Sequence, residues 1–273
     1  MNVMPESGNW VDTHVHIFER RLPLAAARRY APDYDATPEE LRREMRTAGI
    51  AKAVIVQPSF LGTDNHYLLD TIVADPQSFA GIAVIDPASG IDELEALKEA
   101  GIVGVRLNCI GQPAPDLHRG DHGVMAHRLG ELDLVLQIQA EGVQWLSIAP
   151  GLGDLPCTVL VDHFGRTPAG DESGGFEALL SSATVASNVW FKFSGPYRFP
   201  EDAADRCAAA ILDVTGHDRI VWGSDWPWTQ FEKQHTYQET LHWLDRWVGD
   251  AGNRQQILAD NPARLFDFNS NKH

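Results

Sequence analysis

Short apolar runs rich in β-branched residues alternate along this chain with longer stretches in which apolar positions return every three to four residues. These are the two periods that mark strands and helices. Eight runs predict strands: Trp10 to His14, Lys52 to Gln57, Phe79 to Ile85, Val103 to Asn108, Leu134 to Gln139, Thr158 to Asp162, Val189 to Phe193 and Arg219 to Gly223. Most are apolar throughout and do not alternate strictly, as parallel strands covered by helices are. Between them lie helix starts. Thr37-Pro38-Glu39-Glu40 combines a capping Thr, a first-turn Pro and the Glu of a capping box, and the helix it opens runs to about Ala48 and closes on Gly49. Others are expected near Asp64, Gly90-Ile91-Asp92, Gly174, Pro200-Glu201-Asp202 and Gln234. Strand followed by helix, throughout, predicts an α/β fold of the (β/α)8 TIM-barrel type, and no linker, repeat or charge block divides residues 1–273, so one domain is expected. Asn253 to Phe266 predicts an additional helix, broken at Asn261-Pro262 and packed on the outside of the barrel.

Charge narrows the partners. With 22 Lys and Arg against 38 Asp and Glu, the formal net charge is -16. A phosphate backbone and an anionic membrane surface would both be repelled, so neither nucleic acid nor membrane is expected as a partner. Cys109, Cys157 and Cys207 are far apart and form no CxxC pair, which suggests neither disulfides nor structural zinc. Met1 to Trp10 lacks the basic and apolar regions of a leader, and no 18 apolar residues run together. A cytoplasmic protein is the expectation.

In a parallel barrel the chemistry stands at the C-terminal strand ends. His14 and His16 end the first strand, and a period of two places both on one face, where their nitrogens can converge as ligands or electrophiles. Two satisfied loop histidines would look the same. His163 ends the sixth strand in Val161-Asp162-His163-Phe164-Gly165, and Asp225 ends the eighth in Trp222-Gly223-Ser224-Asp225-Trp226-Pro227. Asp225 alone could cap a helix; three polar strand ends together point to a catalytic mouth. Strand alternation turns Asp162 outward, or makes it orient a neighbour. Trp226 and Trp228 are candidate walls of the pocket, and Trp243 with Trp247, four apart, read as core packing.

Trp10-Val11-Asp12-Thr13-His14-Val15-His16, Val161 to Gly165 and Trp222 to Trp228 resemble the amidohydrolase superfamily, in the metal-independent lactonase branch that includes 2-pyrone-4,6-dicarboxylate lactonases. Val56 to Asn65, Gly104 to Asn108 and Phe193 to Arg198 extend the resemblance over nearly the whole chain. It implies hydrolysis of a cyclic ester, with Asp225 as the base that activates water and His14, His16 and His163 polarising the carbonyl. It also implies that Tyr30, Ser59, Arg106 and Arg198 line the substrate pocket. Six residues past Arg106 the branch carries a second arginine where this chain has Gln112, and Arg119 nearby reads as solvated loop. The expected substrate is therefore a lactone with one acidic group, or a sugar-derived lactone.

Two further readings stay open. A single divalent metal could be held by His14, His16, His163 and Asp225 in a mononuclear hydrolase or decarboxylase. A binuclear site is not expected, because the fourth and fifth strands offer Arg106, Asn108, Gln137 and Gln139 where bridging Lys or Glu and a further His would be needed. The cation of Arg106 and the resemblance favour a site that requires no cofactor. In a different class, the barrel could bind a small acid without catalysis, although an unpaired Asp225 would repel such a ligand. Arg106 could grip the substrate's acid group, or pair with a barrel carboxylate such as Asp86 and hold strand ends together.

Overall fold

The computed structural model describes residues 9–200 and 202–266. The eight expected strands form, as β1 (Val11–Val15), β2 (Lys52–Val56), β3 (Phe79–Ala83), β4 (Ile102–Asn108), β5 (Val135–Gln139), β6 (Val159–Val161), β7 (Val189–Phe193) and β8 (Ile220–Trp222). They lie parallel in sequence order within one sheet. Past Trp222 the chain runs on beside β1, where Asp225 N donates to His14 O at 2.9 Å and His16 N to Trp226 O at 2.8 Å, and the sheet closes into a barrel. The (β/α)8 architecture read from the alternation of periods is the architecture observed.

Helices α1 (Pro38–Ala48), α2 (His66–Ala74), α3 (Ile91–Glu99), α4 (Gly120–Glu131), α5 (Gln144–Ile148), α6 (Gly175–Val185), α7 (Ala203–Thr215) and α8 (Tyr237–Val248) cover the sheet. The capping box at Thr37 is present, with Glu40 N donating to Thr37 Oγ1 at 3.2 Å and Thr37 N to the Glu40 carboxylate at 2.9 Å. The periodicity did not mark α4, whose Gly120, Gly123 and Gly130 depress helix propensity. Packing explains two of them: a Cβ on Gly123 would lie 2.7 Å from the His118 carbonyl carbon, and one on Gly130 2.7 Å from Pro156 O. Helix α5 is too short to carry a period. Residues 1–8 and Glu201, which figured in the leader and helix-start expectations, lie outside the described residues.

The C-terminal stretch departs from expectation. It continues through α9 (Ala251–Gln255), a π-helical turn (Gln256–Asp260) and α10 (Asn261–Phe266). The wide turn ahead of Pro262 accommodates a residue without a donor, so the segment does not break. Nor does it sit on the barrel's outer wall. Asn261 Nδ2 donates to His217 O and Ile220 O, and Phe266 joins Val11, Val54, Val135, Leu160 and Trp190, the apolar plug at the N-terminal ends of the strands. Among the described residues no helix is long and apolar enough to cross a membrane.

The seam between β1 and β8 is held by buried polar contacts. Asp12 Oδ1 accepts from His14 N and Ser224 N at 3.0 Å each, Tyr237 donates its hydroxyl to the same carboxyl group, and Thr13 Oγ1 donates to Trp222 O at 2.7 Å. The backbones approach so closely that a Cβ on Gly223 would stand 2.4 Å from His14 Cβ and 2.9 Å from its N. Gly223→Ala must push the seam apart. Overpacking of this kind costs about 2 to 3 kcal/mol, and the expected fall in Tm is roughly 5 to 10 °C, read by calorimetry. An unchanged Tm would show that the seam can yield.

Candidate active site

What turns the first strand's histidines inward is an irregularity. Asp12 pairs with Ala53 and Val15 with Ile55, three residues against two, so β1 carries an extra residue between them. Bulges of this type re-aim side chains. Val11 faces the interior plug and Val15 the surrounding helices, so the extra residue is what leaves His14 and His16 facing the barrel's axis. On the other strands simple alternation suffices. The parity that puts Leu160 inside on β6 puts Asp162 inside too, and the parity of Trp190 on β7 does the same for Lys192 and Ser194. Asp162 therefore does not point outward, as the sequence reading allowed; it is fully buried at the centre of the cluster.

Asp162 organises this layer. Arg106 Nε and Gln137 Nε2 donate to its Oδ2 at 3.0 and 2.9 Å, and Lys192 Nζ stands 3.4 Å from its Oδ1. Arg106 Nη2 also donates to Gln139 Oε1 at 2.8 Å. The carboxylate partner of Arg106 is thus Asp162; Asp86 is exposed and accepts from Ala88 N. Lys192 donates to Gln137 Oε1 at 2.7 Å and contacts His14 Nδ1 at 3.1 Å. His14 Nε2 lies 3.2 Å from His16 Nε2, and His16 Nδ1 2.7 Å from Val56 O. His163 Nδ1 meets Ser194 Oγ at 2.8 Å.

Asp225 stands in the left-handed region at φ 61, as do His163, Phe164 and Arg166 after β6 at φ 50, 54 and 46. Such conformations cost on the order of 1 kcal/mol each in non-glycine residues and gather at functional sites. The two oxygens of Asp225 differ. Oδ2 accepts from Tyr197 Oη at 2.6 Å and Arg198 Nε at 2.9 Å, whereas Oδ1 has no hydrogen-bond partner and faces His14 Nε2 and His16 Nε2 at 3.6 and 3.7 Å. Tyr197 and Arg198 reach it over Gly195, at φ 59, where a Cβ would lie 3.0 Å from His163 Nδ1 and 3.1 Å from Asp225 Oδ2.

These groups open onto a cavity of about 230 Å³ at the C-terminal mouth, lined by His16, His163, Asp225, Tyr30, Ser59, Arg106 and Arg198, with Arg29 and Arg166 among its other walls. His14 lies behind, fully buried. Tyr30 Oη is turned to Glu232 Oε1 at 3.0 Å. Trp226 and Trp228 are buried away from the cavity; Phe60 and Phe231 supply its aromatic walls, while Trp243 and Trp247 are only half-buried. Arg119 is 87% exposed and paired with Asp116, so it does not substitute for the arginine replaced by Gln112. Arg29 brings additional positive charge to the cavity instead, beside Arg166, which pairs with Glu141 at 3.4 Å, both from segments with no strand pattern to mark them. A larger cavity, about 420 Å³, lies at the opposite end among Phe79, Ala80, Ile102 and Val135, where no catalytic groups converge.

Burial, more than any charge, pushes the histidines down: His16 to about 4, His163 to about 3 and His14 well below its usual value. All three are neutral at pH 7. Burial alone would raise Asp225 and Asp162; Arg198 with the three imidazoles on the first, and Lys192, Arg106 and His14 on the second, together offset it and hold both well below the usual carboxylate range. Burial lowers Lys192 to about 8, with Asp162 opposing. If these neutral imidazoles serve the reaction, kcat/KM should stay level from pH 7 to about 5 and fall only as pH approaches 4. Tm should fall with pH from about 6.5 downward, because His14, His16 and His163 take up protons there in the unfolded chain and not in the folded one, a loss only partly offset by Asp12, which burial raises to about 6 in the folded chain. An acid limb in the rate at pH 6 to 7 would contradict this assignment.

His14 Nε2, His16 Nε2 and Asp225 Oδ1 lie within 3.2 to 3.7 Å of one another, a triangle wide enough for one divalent ion. The proton inventory disagrees. Lys192 can only donate, so the His14 Nδ1 it touches must accept, and His14 then carries its proton on Nε2, the atom a metal would need. That triangle therefore does not fit a metal as it stands.

An amidohydrolase family model matches residues 11–268, and the chain belongs to that family, as its motifs had indicated. Among its relatives, 4-sulfomuconolactone hydrolase of Rhizobium radiobacter is 32% identical over 286 residues, covering 95% of this chain and 90% of the relative. The 2-pyrone-4,6-dicarboxylate hydrolase of Comamonas testosteroni is 30% identical over 274 residues, covering 94% and 89%. A crystal structure from Acinetobacter baumannii, of a probable 2-pyrone-4,6-dicarboxylic acid hydrolase with citric acid bound, superposes with a TM-score of 0.89 at 32% identity, over 95% of this chain and 100% of that one.

Proposed function

We propose that this protein hydrolyses a small lactone carrying acidic substituents, without a metal, with Asp225 as the base. The observation that carries this reading is the division of labour within Asp225. Tyr197 and Arg198 fix Oδ2, and the unpartnered, buried Oδ1 faces the imidazoles at the mouth. A water held on Oδ1 loses its proton to it as its oxygen bonds to the lactone carbonyl carbon; the ring C–O bond then breaks, and the proton passes to the departing oxygen. Because Asp225 is a weak base, the leaving group must be good, as in an enol lactone or one with an acidified alcohol.

The histidines do not act alike in this scheme. His16 spends its Nδ1 proton on Val56 O and, being neutral, has only a lone pair at Nε2, so it cannot donate to the carbonyl. His163 is not bound in this way: Ser194 can donate to its Nδ1, and in that tautomer its Nε2–H stabilises the oxyanion. Arg29, Arg106, Arg166 and Arg198 around one small cavity favour an anionic substrate, although Arg106, Arg166 and Arg198 also face Asp162, Glu141 and Asp225, so Arg29 is the candidate contact for the substrate's acidic group. The named relatives act on lactones bearing acidic groups, which supports the same substrate class.

A panel of lactones with zero, one and two acidic groups, assayed by proton release, tests this. Turnover that rises with acidic substitution is expected. Tight binding of acids with no turnover of any lactone would favour a non-catalytic binding barrel, and faster turnover of neutral lactones would remove the role given to the arginines.

A further inference from the structure

We propose that Lys192 is a positioning residue that holds His14 as its Nε2–H tautomer, and so keeps the cluster a chain of hydrogen bonds from which divalent metal is excluded. The inference rests on the metal-free part of the function proposed above, but not on the identity of the substrate. Lys192 belongs to no strand end that sequence reasoning singled out; it is the one charged residue in the strand sequence Val-Trp-Phe-Lys-Phe of β7 and is fully buried.

The chain of contacts is fixed from both ends. At one end Val56 O can only accept, so His16 Nδ1 at 2.7 Å carries the proton, and a neutral His16 is left with a lone pair at Nε2. That lone pair faces His14 Nε2 at 3.2 Å, so His14 must supply the proton between them. At the other end the Lys192 ammonium can only donate, and at 3.1 Å it requires a lone pair on His14 Nδ1. Both ends give the same tautomer. The remaining ammonium hydrogens are directed at Gln137 Oε1, 2.7 Å away, and towards Asp162 Oδ1, 3.4 Å away.

A metal on His14 Nε2 and His16 Nε2 would need the opposite arrangement, with the His14 proton on Nδ1 and pointing at an ammonium. Removing Lys192 lifts that conflict. Asp162 Oδ1, 3.4 Å from His14 Nδ1, could then accept from it, the usual support for a metal-bound histidine. Asp162 keeps Arg106 and Gln137 as partners, so its charge is not stranded.

Two measurements on the purified protein test this, neither of which uses substrate. Long-range ¹H–¹⁵N correlation spectra of the imidazoles should show His14 of the wild type protonated at Nε2, and Lys192→Met should move the proton to Nδ1. Titration with Co²⁺, followed by its visible absorption, should show the variant binding one ion about 10- to 100-fold more tightly than the wild type, the usual weight of an outer-shell partner on a metal site. A His14 protonated at Nδ1 in the wild type overturns the proposal even if the variant fails to fold. So does a folded variant whose Co²⁺ affinity equals the wild type's. Failure of every lactone to turn over would sink the functional reading and leave these outcomes unaffected.

Discussion

Asp225→Asn should leave the barrel folded and lower kcat on the best lactone by at least about 100-fold, the usual worth of a general base. The side chain keeps its shape. Its amide oxygen can still accept from Tyr197, but neither end can take a proton from water. Arg198, whose side chain is 14% exposed, loses its charged partner, so a modest fall in Tm is expected as well. The two effects are separable, because a circular dichroism melt reads the second and saturating kinetics the first. Near-normal kcat in a folded variant would remove Asp225 from the chemistry and shift attention to the histidines.

Arg106→Met should be the most damaging of the pocket substitutions to stability. The side chain is 4% exposed, its Nε is bonded to Asp162 and its Nη2 to both Asp162 and Gln139, which leaves little of the guanidinium to grip a substrate. Breaking a buried pair strands the other charge at a cost of about 3 to 5 kcal/mol; Lys192 and Gln137 remain on Asp162, so the lower figure is the better guide. A fall in Tm of roughly 6 to 12 °C follows for a chain of this size. KM for acidic lactones should rise too, since Arg106 also lines the cavity. A raised KM with Tm unchanged would restore the view of Arg106 as a dedicated carboxylate clamp; a lowered Tm with KM unchanged would make it wholly structural.

The barrel was legible because its cause is local. Eight apolar, β-branched runs separated by helical periods have few ways to bury themselves other than as parallel strands under helices, and the capping box at Thr37 or the glycine after Ala48 needs no distant partner to be recognised. Polar residues at strand ends stood out for the same reason, which is how His14, His16, His163 and Asp225 could be named together, and they do converge at one mouth. The motif resemblance then carried the family.

Tertiary structure alone decided the rest, because it depended on which face of a strand a residue occupies and on what lies across the barrel. A single extra residue in β1 aims His14 and His16 inward, and nothing in Asp12-Thr13-His14 announces it. Of the two readings open for Asp162, outward-pointing or orienting a neighbour, the barrel excludes the first, and a phase error of one residue moves a side chain from core to surface. Lys192 carries no signal within its apolar strand, and its role comes from Asp162, Gln137 and His14, which surround it from 30, 55 and 178 residues away. Arg198 lines the cavity, and only the fold shows that its Nε also donates to Asp225; Pro262 was expected to break a helix, but a π turn absorbs it and Phe266 closes the barrel floor. The sequence determines which residues are available and which elements carry them. How they share protons and charge is set by distances of about 3 Å between strands far apart in the chain, which no local pattern encodes.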